Sequence, residues 1–168
     1  MIFDVLKNRW LRKQQEIYRG RQRDRQQSAP ESMVVIYNAD AEKSLEFADQ
    51  WSKDLKIKDL TLIGFTTDKK AVSSDKNILL TPASLKWTGG IADDFLKKAL
   101  ETNFDLQINF YRTASDMTSF VAMALRSGFK VGFPSQDEEQ YDLAIDVPLE
   151  KKDLFFTELK RYLNIIIK

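Results

Sequence analysis

Phe104-Asp105-Leu106-Gln107-Ile108-Asn109-Phe110 and Tyr141-Asp142-Leu143-Ala144-Ile145-Asp146-Val147 repeat one pattern: aromatic, Asp, Leu, any residue, Ile, Asn or Asp, apolar. Each reads as a strand that leaves a polar stretch and ends near a short amide or acid. Between them lie an amphipathic segment over 115–126, closed by Gly128, and a Gly-bounded apolar pair read as a strand over 129–133. The succession strand, helix, strand, strand places the chain among α/β folds built on a largely parallel sheet.

Upstream the reading is of the same kind. Met33-Val34-Val35-Ile36-Tyr37 is a continuous apolar run, as a strand buried on both faces requires. Asn38-Ala39-Asp40 turns the chain toward a helix over 41–55, with Asp40 as its expected N-cap. Strands follow at 60–65 and 78–80, and Gly89-Gly90 precedes a helix over 91–102. A last helix spans 151–166. The expectation for 32–168 is a single three-layer, Rossmann-like α/β domain with five to six mostly parallel strands. Before it, residues 1–18 repeat Phe3, Leu6, Trp10 and Ile17 at helical spacing, and the polar run 21–30 ends at Pro30. Residues 1–31 therefore read as a basic amphipathic helix and a linker.

Composition restricts the chemistry. The 168 residues include no cysteine and no histidine, which removes disulfides, thiolate nucleophiles, Ser–His and Cys–His pairs, and the commonest general base and transition-metal ligand. Carboxylates, Lys, Tyr or a magnesium-type site remain, so the balance leans away from an enzyme, and neither a cofactor nor a metal centre is expected. No apolar run reaches the ~18–20 residues that cross a bilayer. Charges interleaved with the first apolar residues are unlike a signal peptide, and a cytoplasmic protein is expected.

In open α/β sheets, ligands sit outside the carboxyl ends of the strands. That rule gathers Asn38 and Asp40 after the first strand, Asn109, Tyr111, Arg112, Thr113, Ser115 and Asp116 after the echo strand, and Asp146 near the last one. Arg112 with the hydroxyls before the next helix suits an anion held by amides; equally, Ser115 or Thr113 can simply cap that helix. Asp105, Gln107 and Asn109 share one strand face, as expected of a strand near a sheet edge or with polar ends. Neither the dinucleotide glycine fingerprint nor the phosphate-binding lysine loop is present, and Asp93-Asp94 after Gly89-Gly90 would oppose a phosphate.

Charge is unevenly placed. Residues 1–27 carry Lys7, Arg9, Arg12, Lys13, Arg19, Arg21, Arg23 and Arg25 against three acids, a net charge of +5, whereas the other 141 residues carry 18 basic and 22 acidic side chains, a net of −4. With Trp10 and Tyr18 interleaved, this arm suits the phosphates and bases of RNA or a ribonucleoprotein. It also suits an anionic membrane surface, or docking on its own domain, a second copy or a protein partner through Phe3, Leu6, Trp10 and Ile17.

Met1-Ile2-Phe3 with its basic helix, the FDLQINF strand, Phe129-Lys130-Val131-Gly132 and the YDLAID strand, in that order, resemble an uncharacterised family of small proteins from Bacteroidota. The resemblance runs nearly end to end and implies an α/β domain of unknown function, with Asp where Asn109 stands here. Residues 104–133 are also similar to the N-terminal Rossmann-like half of heptosyltransferase-type glycosyltransferases. That second likeness implies packing and not activity.

Overall fold

The computed structural model describes residues 2–19, 28–86, 89–135 and 137–166, without the side chains of residues 2–5, 15 and 19. Six strands form one sheet: β1 (Ser32–Asn38), β2 (Asp59–Phe65), β3 (Asn77–Leu80), β4 (Asn103–Phe110), β5 (Arg126–Gly132) and β6 (Leu143–Ala144). Every pairing is parallel, and the order is β3-β2-β1-β4-β5-β6. The order reverses between β1 and β4, as in Rossmann-like sheets.

Helices α1 (Ile2–Arg19), α2 (Glu46–Asp54), α3 (Asp94–Glu101), α4 (Asp116–Ala124) and α5 (Lys152–Ile166) cover the two faces. Apolar residues alternate between the faces along the strands, which builds two cores. On one side Val35, Ile108, Phe110 and Val131 meet Trp51 of α2 and Phe155, Phe156 and Leu159 of α5. On the other Val34, Ile36 and Ile63 meet Leu11 of α1, Leu96 of α3 and Phe120 and Val121 of α4.

The basic helix is part of this second layer. Leu11 is 3% exposed, the Trp10 and Phe120 rings meet edge-on with centroids 5.2 Å apart, and Tyr18 lies 6.1 Å from the same ring. Lys7 Nζ donates to the Pro82 carbonyl oxygen at 2.8 Å. Of the polar run 21–30, residues 21–27 lie outside the described residues.

The echoed aspartates have a common structural job. Asp105 Oδ2 accepts from the backbone N–H groups of Glu31 and Ser32 at 2.8 and 3.1 Å, and the Asp105 N–H donates to Ser32 Oγ. Asp142 Oδ2 accepts from the Lys130 N–H at 2.8 Å, and the Asp142 N–H donates to the Lys130 carbonyl oxygen. In each case a carboxylate on one strand, or just before it, clamps backbone donors of the neighbouring strand and so sets its register. The echo marks this clamp.

Several local expectations are corrected. Asp40 does not cap α2, whose N-cap is Leu45 without a side-chain bond; Asp40 is held by the loop after β2. Gly128 lies inside β5 and does not close α4. The second echo makes only a two-residue strand, because its pairing stops after Val131↔Leu143 and Gly132↔Ala144. Nor is β4 near an edge: it lies between β1 and β5, with Gln107 and Asn109 fully buried.

Two substitutions test these statements. Leu11→Ala should lower stability by about 2–5 kcal/mol in one cooperative denaturant transition, since it removes a core side chain; a change within about 0.5 kcal/mol would mean α1 is a loose arm. Asp105→Ala should cost about 1–3 kcal/mol by releasing two backbone donors, and Asp105→Asn, which keeps an acceptor, distinctly less.

Candidate functional site

Because Tyr37 stands beside Phe110 in the β1–β4 register, the segments after β1 and β4 leave the sheet side by side. Of the residues expected there, six fall into three separate groups: Asn38 with Asp40, Arg112 with Asp146, and Asn109 with Tyr111.

The first follows β1. Asn38 Oδ1 accepts from the Asp40 N–H at 3.0 Å. The Asp40 carboxylate accepts from Thr66 Oγ1 at 2.6 Å and from the Thr67 N–H and Oγ1 at 3.0 and 2.8 Å. The Thr66 hydroxyl, then the two Thr67 donors, hold its pKa below the ordinary carboxylate value, and Asp40 remains exposed. It ties the loop after β1 to the loop after β2.

The second pairs Arg112 with Asp146. Arg112 Nη2 lies 3.4 Å from Asp146 Oδ1 and donates to the Val147 carbonyl oxygen, and its guanidinium sits 5.1 Å from the centre of the Phe133 ring. The Asp146 side chain is 79% exposed, so this ion pair adds little to stability. Nearby on that face Lys152 pairs with the largely buried Glu42 at 3.1 Å and lies 5.3 Å from the Phe47 ring centre. Ser115 stands apart as the N-cap of α4, accepting from the Thr118 N–H.

The third group is a buried polar seam beneath α4. Tyr111 Oη and Ser119 Oγ both donate to Asp137 Oδ2, at 2.8 and 3.0 Å. Deeper in, Gln107 Nε2 donates to Asn109 Oδ1 and to the Ala122 carbonyl oxygen, while Ser127 Oγ donates to Gln107 Oε1 at 2.6 Å. Lys130 Nζ, also buried, donates to the Ala122 and Met123 carbonyl oxygens at the end of α4, where the helix dipole favours a cation.

Tyr141 closes this seam. Its ring lies on Gly132, where an added Cβ would fall 2.7 Å from Tyr141 Cζ. Its hydroxyl sits beside the Asn109 amide and the Ser135 and Tyr111 hydroxyls. Neither Tyr141 Oη nor Asn109 Nδ2, however, completes a hydrogen bond. Burial raises the pKa of Tyr111 well above 10, aided by the nearby Tyr141 and Asp137 oxygens, and burial also outweighs the neighbouring donors in raising that of Tyr141.

Asp137, Ser119, Tyr141, Gln107 and Lys130 were not among the expected site residues. Gln107 and Lys130 had a signal, namely polar side chains opposite each other in two adjacent apolar strands, Gln107↔Lys130. Asp137 had none, for it reads as part of an acidic loop. Among the described residues no three acidic side chains gather to hold a metal ion, and no helix is long and apolar enough to cross a membrane.

The tyrosines give a pH test. Tyr37, Tyr111 and Tyr141 hold their protons in the folded state above the pH at which the unfolded chain releases them. Stability should therefore be complete below about pH 10 and fall as pH rises beyond it. Absorbance titration should show Tyr37, Tyr111 and Tyr141 ionising late. Tyr111→Phe should remove one of these and cost about 1–3 kcal/mol at neutral pH, because Asp137 loses a donor. Ionisation of these three near pH 10 would contradict the burial.

Searches among curated proteins and among solved structures found no match. A family model does match, described as a family of unknown function (DUF6913), over residues 5–166. That span runs from within α1 to the last residue of α5 and takes in the helix, the sheet and the polar seam alike. The chain belongs to this family of unknown function, DUF6913.

Proposed function

We propose that the protein is a non-catalytic, cytoplasmic binding or adaptor protein that engages a polyanion, RNA or a ribonucleoprotein, through its basic N-terminal helix. One observation carries the reading. α1 lies on the body through Lys7, Trp10, Leu11 and Tyr18, and Arg9, Arg12 and Lys13 are exposed on its opposite side. Three cations within about 6 Å of helix axis form a positive face, and the sequence after it adds Arg19, Arg21, Arg23 and Arg25, whose side chains lie outside the described residues. Such a face attracts phosphates at long range and releases their counterions on contact.

A small-ligand or enzymatic role is a second reading, favoured by the reversal of strand order between β1 and β4. It predicts a ligand whose thermal shift disappears in Arg112→Ala or Asp146→Ala. The groups there are engaged with one another, which weighs against it. Pairing with another chain through α1 has less to offer: of Leu6, Trp10 and Ile17 only Ile17 is exposed, and the Phe3 side chain lies outside the described residues.

The test is binding to single-stranded RNA across a salt series from about 50 to about 200 mM, comparing the full chain with Arg9→Glu/Arg12→Glu/Lys13→Glu. Truncation is the poorer tool, because removing α1 strips Leu11 from the core and uncovers Phe120. Engagement of all eight basic side chains of residues 1–27 would give a log–log salt slope of about −5 to −6, and the triple reversal should flatten it by about 2. Absent or salt-insensitive binding overturns the reading, as does RNA binding that the reversal leaves unchanged.

A further inference from the structure

Resting on that reading, we infer that the helix recognises the phosphate backbone of the nucleic acid and is blind to its bases. Base recognition by a basic arm of this composition would run through stacking on Trp10 and Tyr18. Both rings are already engaged within the protein. Trp10 meets Phe120 edge-on at 5.2 Å and 71°. The Gly89 backbone presses on the same indole, since a Cβ there would fall 2.9 Å from Trp10 Cδ1 and 3.0 Å from Cγ. Gly89 has φ +98°, a conformation that suits glycine and allows this approach. Tyr18 is tilted against Phe120 at 6.1 Å, on the same side of the helix. Freeing either ring for a base would uncover Phe120, which is 2% exposed, and loosen Leu11 beside it.

The outward side carries charge without a platform. Among the described side chains of α1, Asn8, Arg9, Arg12, Lys13, Glu16 and Ile17 are exposed, and none of these is aromatic. Contacts from such a face position a protein on a backbone but carry no sequence information. The same geometry weighs against a membrane partner, because interfacial binding would need the apolar stripe that here lies on α4.

An abasic oligonucleotide, which keeps the sugar–phosphate chain and lacks every base, tests the inference on the intact protein. It should compete for the protein within about threefold of oligo(U) and oligo(A) of equal length, whereas each stacked base would be worth on the order of tenfold. Failure of the abasic chain to compete, with the natural oligomers still binding, overturns base blindness and leaves the polyanion reading in place. If no oligomer binds, or if anionic phosphatidylserine vesicles bind instead, both fall together.

Discussion

The pairing of β1 with β4 at the centre of the sheet, covered by helices on both faces, is the constraint on which the rest of the structure depends. Water does not reach this place, so every polar group there needs a partner within the protein. That requirement accounts for Gln107 bonded to Asn109, Ser127 and the Ala122 carbonyl, and for Lys130 against the end of α4. It also gives the echoed motif its meaning. Asp105 fastens the start of β1 to β4, and Asp142 fastens the segment before β6 to β5. In a parallel sheet, where no tight hairpin fixes register, clamps of this kind supply it locally.

The reversal of strand order marks the position where related folds bind ligands, and here the side chains around it bond to one another. On one face Glu42 and Lys152 pair beside Phe47 and Phe110. On the other, Asp137 reaches in from the loop before β6 and takes the hydroxyls of Tyr111 and Ser119. A dinucleotide fold keeps that position open with glycines, so that a pyrophosphate can approach the backbone. Here the first turn after β1 has no glycine and is braced by Asp40. Architecture shared with nucleotide-binding enzymes thus coexists with a place that nucleotide chemistry does not explain.

How much was legible in the sequence follows from the range of each interaction. The central strands declared themselves because two-sided burial demands unbroken apolar runs such as Met33–Tyr37, and periodicity is a local property. Helix α4 and its Ser115 cap were local in the same sense. Asp40 was misjudged because an acid before a helix normally caps it, whereas here threonines 26 and 27 residues away compete for the carboxylate. The second echo shortened to two residues because β6 has a single neighbour and a ladder on one side only. Asp137 was invisible for a related reason: its partners lie 18 and 26 residues away, and nothing in an acidic loop marks which acid turns inward.

The N-terminal helix shows how two opposing tendencies are resolved. A helix of net positive charge beside a body of net negative charge could lie down on its arginines, neutralising them within the molecule. Exposed ion pairs contribute at most about 1 kcal/mol each, whereas burying one leucine or aromatic side chain contributes about 1.5–3 kcal/mol. The apolar stripe therefore decides the orientation, with Leu11 and Trp10 against α4 and Phe120 beneath them. Arg9, Arg12 and Lys13 are turned outward as a consequence. The basic face is thus held in place by the hydrophobic core behind it, and loss of that packing would remove the presentation of charge without altering a single charge.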